Sequence, residues 1–515
     1  MPTPAEKLAK SLETLGAMQD KGTVAIRSAD LPRTDRERLV KNGFLQEVMK
    51  GWYIPTRPDQ PAGESTAWFT SFWAFCADYL TDRFGDEWCA SPEQSLCLQV
   101  GNRAVPHQLI VRSPKAKNNT TKLPHQISVL DVQLPMPAKE HIERINGINC
   151  YSLPASLIFC SPTLFRQNPT DVRAALSTIS NASEVLNVLL EGGHSTIAGR
   201  LAGAFRNIGR SRIADDILST MKAADYDCRE EDPFDTSAPI TFSRREKSPH
   251  VSRIRLIWET MREPILEHFP QSPGLPKKSK TYLDRVQEIY VTDAYHSLSI
   301  EGYRVSRELI EKVRQGTWNP SNDDKDSEHR NALAARGYWL AYQAVRGSLS
   351  RVLNGENSGT VADDDHGTWY RELFAPSVTA GLLKPSDLAG YRTDQVYIRH
   401  SKHVPPSKDA VRDLMPALFD LLRDEKEAAV RVVLGHFLFV YIHPYMDGNG
   451  RTGRFLMNLM LASGGYPWTV VPVTRRDQYL AALEIASVEQ NISPLSELLA
   501  ILVRETMEGK PEATE

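Results

Sequence analysis

The stretch 443–454, HPYMDGNGRTGR, decides how this 515-residue chain is read. Its glycines Gly448, Gly450 and Gly453 satisfy a dinucleotide fingerprint, yet His443 and Asp447 precede them and Arg451 and Arg454 stand among and after them. The helix before it, EAAVRVVLGHFLFVYIHP, is apolar at helical spacing and ends at Pro444, which cannot extend a helix. DGNG then predicts a tight turn, because Gly and Asn accept left-handed backbone. A second helix, RTGRFLMNLMLASGG, follows and stops at its glycine pair. The turn therefore offers backbone N–H groups at a helix N-terminus, where anions are favoured. Arg451 and Arg454, three apart, can fork onto phosphate oxygens. Asp447 would repel bare phosphates and reads as the ligand of a bridging Mg²⁺. His443 reads as a neutral base beside the same spot.

Other readings of these residues fail on chemistry. A dinucleotide-binding turn needs its strand to run into the first glycine, whereas HPYMD intervenes, although Asp477 stands where a ribose-binding acid would. A calcium loop starting at Asp447 would need Gly where Thr452 stands and Glu where Asn458 stands. A bare helical turn accounts for the glycines but not for His443, Asp447 and the two arginines.

At these residues the chain resembles the Fic family, whose motif is HPFx(D/E)GNGRxxR, with Tyr445 in place of Phe. The resemblance extends upstream through YRTDQVYIRHSKHVPP (391–406), which looks like the family's target-docking β-hairpin flap with Val396, Tyr397 and Ile398 as one strand. Downstream it reaches about residue 505. It implies transfer of AMP from ATP to a Ser, Thr or Tyr hydroxyl of a target protein, self-modification included. His443 would be the base and Asp447 the Mg²⁺ ligand. Gly448, Asn449, Gly450, Arg451, Thr452, Gly453 and Arg454 would form the ATP-binding loop, with Arg454 reaching towards the γ-phosphate.

A second stretch, DAYHSLSIEGYRV (293–305), reads as a helix that Gly302 terminates, with Ser297 and Glu301 four apart on one face. It matches the family's inhibitory motif (S/T)xxxE(G/N), so an inhibitory helix is expected near 291–302. The resemblance implies that Glu301 pairs with Arg454 and keeps the γ-phosphate from seating. In some relatives the same glutamate supports AMP removal. His436, two turns before His443, reads as a packed histidine. His400 and His403 fall in the expected flap, and for Tyr479 an adenine-pocket wall and core packing both stay open.

The rest of the chain frames this core. The composition, 41% hydrophobic and 24% charged with net charge −3, is that of an ordinary soluble globular protein, and its length suits three or four domains. The longest apolar run of the core, FLFVYI, is too short for a bilayer, and the charged start reads as no signal peptide. Six cysteines without a C-x-x-C pair read as buried thiols of a cytoplasmic protein.

Residues 31–59 predict a helix opened by a Thr34/Glu37 capping box and then a hairpin, the outline of a winged helix over 1–60. LCLQV, QLIVRS and ISVLDVQL read as strands of a mixed α/β region over 61–230. The stretch 231–250 reads as a linker, 251–505 as the mainly helical Fic core and 506–515 as a flexible tail. LVKNGFLQEVMKGWYIP (39–55) and STIAGRLAGAFRNIGRSRIADDIL (195–218) loosely resemble AbiEi-type antitoxin regulators, which admits DNA as a partner. Residues 94–130 carry five Lys/Arg and no acid, and Arg200, Arg206, Arg210 and Arg212 add a cluster. A solvated surface and a nucleic-acid contact both stay open for them, as does a homo-oligomer. The second function class is thus a DNA-binding regulator that uses its Fic-like core as a nucleotide sensor.

Overall fold

The computed structural model describes residues 3–58, 65–242, 245–318 and 326–510. The chain forms two compact units, Met1–Arg253 with Tyr397–Val404, and Ile254–Val396 with Pro405–Glu515.

In the first unit, helix α1 (Pro4–Gln19) opens on a capping box, in which Thr3 Oγ1 accepts from the Glu6 N–H and the Thr3 N–H donates to Glu6. The box expected at Thr34 and Glu37 does not form. Thr34 lies inside α2 (Arg33–Lys41), and Arg33 takes the Glu37 carboxylate at 2.7 Å, one helical turn away. The expected hairpin is present as β2 (Leu45–Met49) and β3 (Trp52–Pro55), joined at the other edge of β3 by β1 (Ile26–Arg27). After α3 (Thr66–Phe84), strands β4 (Cys89–Ala90), β5 (Gln108–Ser113), β6 (Thr120–Lys122) and β7 (Ser128–Gln133) form a sheet in the order β4-β5-β7-β6. LCLQV is not one of its strands. It lies largely in α4 (Pro92–Gln99), where Ser91 caps the Gln94 N–H and Pro92 sets the first helical φ. A good cap outweighs an apolar run that periodicity alone cannot assign. Strands β8 (Ile142–Ile145) and β9 (Ile148–Tyr151) make a hairpin. Helices α5 to α10 follow at Leu153–Phe159, Leu164–Gln167, Pro169–Thr178, Ser183–Glu191, Ser195–Asn207 and Ser211–Ala223. Trp68, Phe72, Phe75 and Trp88 anchor an apolar core that also takes in Val404.

Two further expectations for this unit change. The segment read as a linker is strapped onto the helices before it. The Glu231 N–H donates to Gly199 O, the Phe242 N–H to Ile208 O, and Phe234 and Phe242 are buried. Its charge and proline content suggest a solvated tether, but two aromatic anchors and Arg206, which bridges Glu230 and Asp215, hold it. The same bridge uses up part of the basic cluster. Arg210 is buried against the carbonyls of Ser177, Ile179 and Ser180, and Arg200 stacks on Phe165. Lys115 pairs with Glu87. Of the cysteines, Cys76, Cys89, Cys150 and Cys160 are buried, Cys97 and Cys228 are half-buried, and all six are free thiols.

The second unit is mainly helical: α11 (Pro249–His268, whose residues from Ile254 on belong to this unit), α12 (Ser279–Ile300), α13 (Arg307–Gln315), α14 (Asp326–Leu353), α15 (Ser358–Thr379), α16 (Lys408–Asp424), α17 (Ala428–Ile442), α18 (Asn449–Ser463), α19 (Arg476–Val488) and α20 (Ser493–Met507). Helix α20 runs into the expected tail, of which 511–515 lie outside the described residues. Helices α17 and α18 are buried along almost their whole length, α17 as its all-round apolar pattern requires and α18 with Asn449, Arg451, Arg454 and Asn458 among its buried residues. They bring the two ends of the motif loop together. Among the described residues no helix is long and apolar enough to cross a membrane.

Candidate active site

The loop between α17 and α18 is built by two left-handed residues. His443 ends α17 with φ +53, and Gly448 caps α18 with φ +79. Only glycine fits at 448, because a Cβ there would also lie 2.8 Å from the Phe374 ring. The Asn449 side chain is spent on the loop, accepting from the Tyr445 N–H at 2.9 Å and donating to the Tyr445 carbonyl at 2.8 Å. Tyr445, the departure from the family's Phe, is buried and stacks on Tyr370 with centroids 3.8 Å apart and planes 3° apart. The first N–H of α18 with an intrahelical partner is that of Thr452, bonded to Gly448 O at 2.9 Å. Those of Asn449, Gly450 and Arg451 bond no described residue, leaving a set of donors at the helix start.

His443 sits beside them with its tautomer defined. The Val440 carbonyl, 3.1 Å from Nδ1, can only accept, so Nδ1 carries the proton and Nε2 the lone pair. The imidazole pKa is pushed down to about 4, first by burial and then by the Arg392 guanidinium, against the opposing pull of the Val440 carbonyl, Glu301 and Asp447. The ring is therefore neutral near pH 7, in a residue that is half-buried. Asp447 is exposed; its Oδ1 accepts from the Gly448 N–H at 2.5 Å and from Arg451 Nη2 at 3.4 Å, and its Oδ2 bonds no described residue.

The two arginines differ in how they are held. Arg451 is 1% exposed, between the rings of Tyr303 and Phe374 at 5.2 and 5.1 Å, with its Nε bonded to no described residue. It borders a cleft of about 780 Å³ together with Asp447, Tyr370 and Tyr391. Arg454 is 5% exposed and bonds along α12: Nε to Ser297 Oγ at 2.9 Å, Nη2 to Ser297 O at 3.0 Å and Nη2 to Glu301 Oε1 at 2.8 Å. Gly302, with φ +86, ends α12 there. The Glu301 carboxylate also lies against the first turn of α18, since a Cβ on Gly450 would sit 2.2 Å from its Oε1. A carboxylate thus already occupies the anion-favouring helix end.

The expected residues His443, Asp447, Gly448, Asn449, Gly450, Arg451, Arg454, Ser297 and Glu301 come together here. Thr452 and Gly453 do not reach the loop's open side. Thr452 is fully buried, and Gly453 allows α17 to approach, a Cβ there meeting Val440 and His436 at 3.1 and 3.2 Å. His436 and Tyr479 are core residues bonded to each other at 2.7 Å, both buried. The flap strand over Val396, Tyr397 and Ile398 is not formed. Pro405 and Pro406 on the returning arm have no N–H to offer a ladder, and side chains tie the arms instead, Gln395 Nε2 donating to Pro405 O at 2.9 Å. Val396 closes the arm in the second unit. Tyr397 to Val404 belong to the first, where the Val105 N–H donates to Lys402 O and the His400 N–H to Thr66 Oγ1. His403 is buried in that segment. Sequence reasoning passed over Tyr303, Phe374 and Arg392. Tyr303 directly follows Gly302, and Arg392 is the second residue of the flap stretch, but neither has a motif of its own.

Residues 366–461 match the Fic/DOC family model. Over 226 residues the chain is 29% identical to proteins named protein adenylyltransferase Fic from Drosophila willistoni and Drosophila grimshawi, covering 43% of this chain and 42% and 43% of those proteins. The chain thus spans less than half the length of the curated relatives it matches. Among solved structures, a C. elegans Fic-1 fragment is similar over 67% of this chain and 97% of its own, at 20% identity and a TM-score of 0.37. A Fic family protein from Desulfovibrio desulfuricans G20 covers 50% of this chain and 76% of its own, at 22% identity and a TM-score of 0.35.

Proposed function

We propose that this chain transfers AMP from ATP to a hydroxyl of a protein, and that Glu301 holds it in a restrained state. The observation that carries the reading is a neutral imidazole with a free Nε2 lone pair beside an anion-binding helix start that two buried arginines flank. His443 Nε2 takes the proton of the acceptor hydroxyl, whose oxygen attacks the α-phosphorus. The bond from the α-phosphorus to the bridging oxygen breaks, and pyrophosphate leaves. The N–H groups of Asn449, Gly450 and Arg451 receive phosphate charge, and Arg451 adds a guanidinium to it. An intact base also favours an enzyme over a mere nucleotide sensor.

Asp447 suits Mg²⁺, which shares phosphate oxygens with one or two carboxylates and keeps several waters. Its exposed Oδ2 is the donor such an ion needs, and when bound the ion would neutralise phosphate charge. The restraint follows from competition. Arg454 cannot fork onto a phosphate while Ser297 and Glu301 hold it, and the Glu301 carboxylate repels an anion arriving at Gly450.

The test incubates wild type, Glu301→Gly and Glu301→Gly/His443→Ala with Mg²⁺ and ATP, read by intact mass and by AMP gain on proteins of a lysate. AMP gain in Glu301→Gly, faint in wild type and reduced 10²–10⁴-fold without the base, is expected. No AMP on any protein in Glu301→Gly would refute the transfer. The rate in Glu301→Gly should also stay level from pH 8 to about 5 and fall tenfold per unit below about 4, where His443 takes up its proton. An acid limb centred near 6.5 would mean the imidazole titrates like a free one.

A further inference from the structure

We infer that Arg392 is a positioning residue for the base: its guanidinium fixes the backbone of His443 and ties that backbone to both arms of the loop 392–406. The inference rests on the transfer reading above for its consequence, but its geometry stands alone.

Arg392 is 2% exposed. Its Nε donates to the His443 carbonyl at 2.8 Å, its Nη1 to the Asp394 carbonyl at 3.0 Å and its Nη2 to the Pro406 carbonyl, while its own N–H donates to Pro444 O at 2.9 Å. The acceptors lie in three places: the end of α17, the outgoing arm and the returning arm. A planar fork with fixed donor directions sets all three relative to one another, which a point charge cannot do. His443 needs that support. It is a non-glycine residue in left-handed backbone, a state that persists only when its surroundings impose it. The His443 carbonyl closes α17, where a cation is favoured and an orphan acceptor is costly. The backbone turn held by Arg392 is the one that carries the imidazole. The three side-chain bonds of Arg392 go to backbone carbonyls of His443, Asp394 and Pro406, so its effect on nucleotide binding should be slight and its effect on turnover large.

The loop arms enter through the same fork. With no strand ladder, their backbone is held by Arg392 and by Gln395, which bonds Val396 O and Pro405 O. A displacement of either arm reaches the His443 carbonyl through one side chain.

The test places Arg392→Lys and Arg392→Gln in the Glu301→Gly background and reads ATP affinity by calorimetry, single-turnover AMP transfer and the His443 titration by ¹³C-edited NMR. Expected are an ATP Kd within twofold of the parent and a transfer rate at least tenfold lower in both variants. The His443 pKa should rise in Arg392→Gln, where Asp447 then acts on the ring unopposed, and stay near the parent in Arg392→Lys, which keeps the charge. Transfer within twofold of the parent in both variants overturns the inference. Should the parent itself transfer no AMP, the function reading fails separately. Positioning is then judged on the His443 ¹³C shift and titration, and identical values in Arg392→Gln overturn it. Should both variants unfold, the unmutated chain decides. Its Arg392 Nε–H should resist exchange with solvent, and exchange as fast as in free arginine overturns the inference.

Discussion

Arg210 in the first unit and Arg451 in the second are both buried guanidinium groups, yet they are held in opposite ways. Arg210 donates to three main-chain carbonyls at 2.9 to 3.4 Å, two from its Nη2 and one from its Nη1. Arg451 has ring faces on two sides, a single bond to an exposed carboxylate at 3.4 Å, and an Nε bonded to no described residue. A guanidinium saturated by peptide carbonyls is complete without a ligand. One held mainly by aromatic faces keeps its donors for something that arrives, since cation–π contact offsets part of the cost of burial and uses no N–H. Burial of an arginine is therefore no sign of a site by itself; how its donors are used is. The sharpest way to break this contrast is Arg210→Met, which leaves three carbonyls short of a donor. Denaturant unfolding should show a loss of about 3 kcal/mol, with ATP affinity unchanged. A loss below about 1 kcal/mol would mean that water replaces the guanidinium and that Arg210 is not saturated in the sense argued.

Arg451→Met should behave the other way round. Stability should stay within about 1 kcal/mol, because methionine keeps the contact with Tyr303 and Phe374 and removes a poorly bonded buried charge. ATP affinity in the Glu301→Gly background should fall 10- to 30-fold, about 1.4 to 2 kcal/mol for a lost charge-assisted contact. Calorimetric titration checks it. If Arg451→Met instead unfolds the chain and leaves ATP binding intact, the two arginines are alike and the contrast is void.

Most of the candidate site was legible because it is local. Within twelve residues the sequence specifies a helix end, a left-handed turn and a helix start, and His443, Asp447 and Arg451 follow from those three facts. Ser297 and Glu301 were legible for the same reason, four apart on one helix. What stayed hidden involves partners without a signature. Arg392 bonds carbonyls, which every residue has, so nothing in YRTDQVYIRH marks it. Asn449 reads as a ligand until its side chain is seen closing on Tyr445 from both sides. In the first unit, LCLQV has the composition of a strand, and the cap at Ser91 and Pro92 overrides it; the 231–250 segment has the composition of a tether, and Phe234 and Phe242 override that. In each case a few contacts outweighed an average over a window.

Asp293 lies between the two arginines in kind and extends the contrast to an acid. It sits four residues before Ser297 on the same face of α12, fully enclosed, and accepts from Tyr338 OH at 2.6 Å and Trp468 Nε1 at 3.1 Å. Burial raises its pKa to about 6, and the two donors and the Arg454 charge oppose that rise. Two neutral donors therefore do not fully saturate this carboxylate. The folded chain binds a proton at Asp293 below about pH 6 that the unfolded chain releases down to about 4, so the group's contribution to stability is present at low pH and is lost as pH rises through 6. Asp293→Asn removes that titration. The gain at pH 8 is partly offset because one amide oxygen cannot serve both donors, and a net gain of about 1 kcal/mol remains. Melting curves should place the variant above wild type at pH 8, with the gap closing or reversing near pH 5. A gap that does not change between the two pH values would mean that Asp293 is satisfied as completely as Arg210, and that only Arg451 among these groups is left with donors to offer.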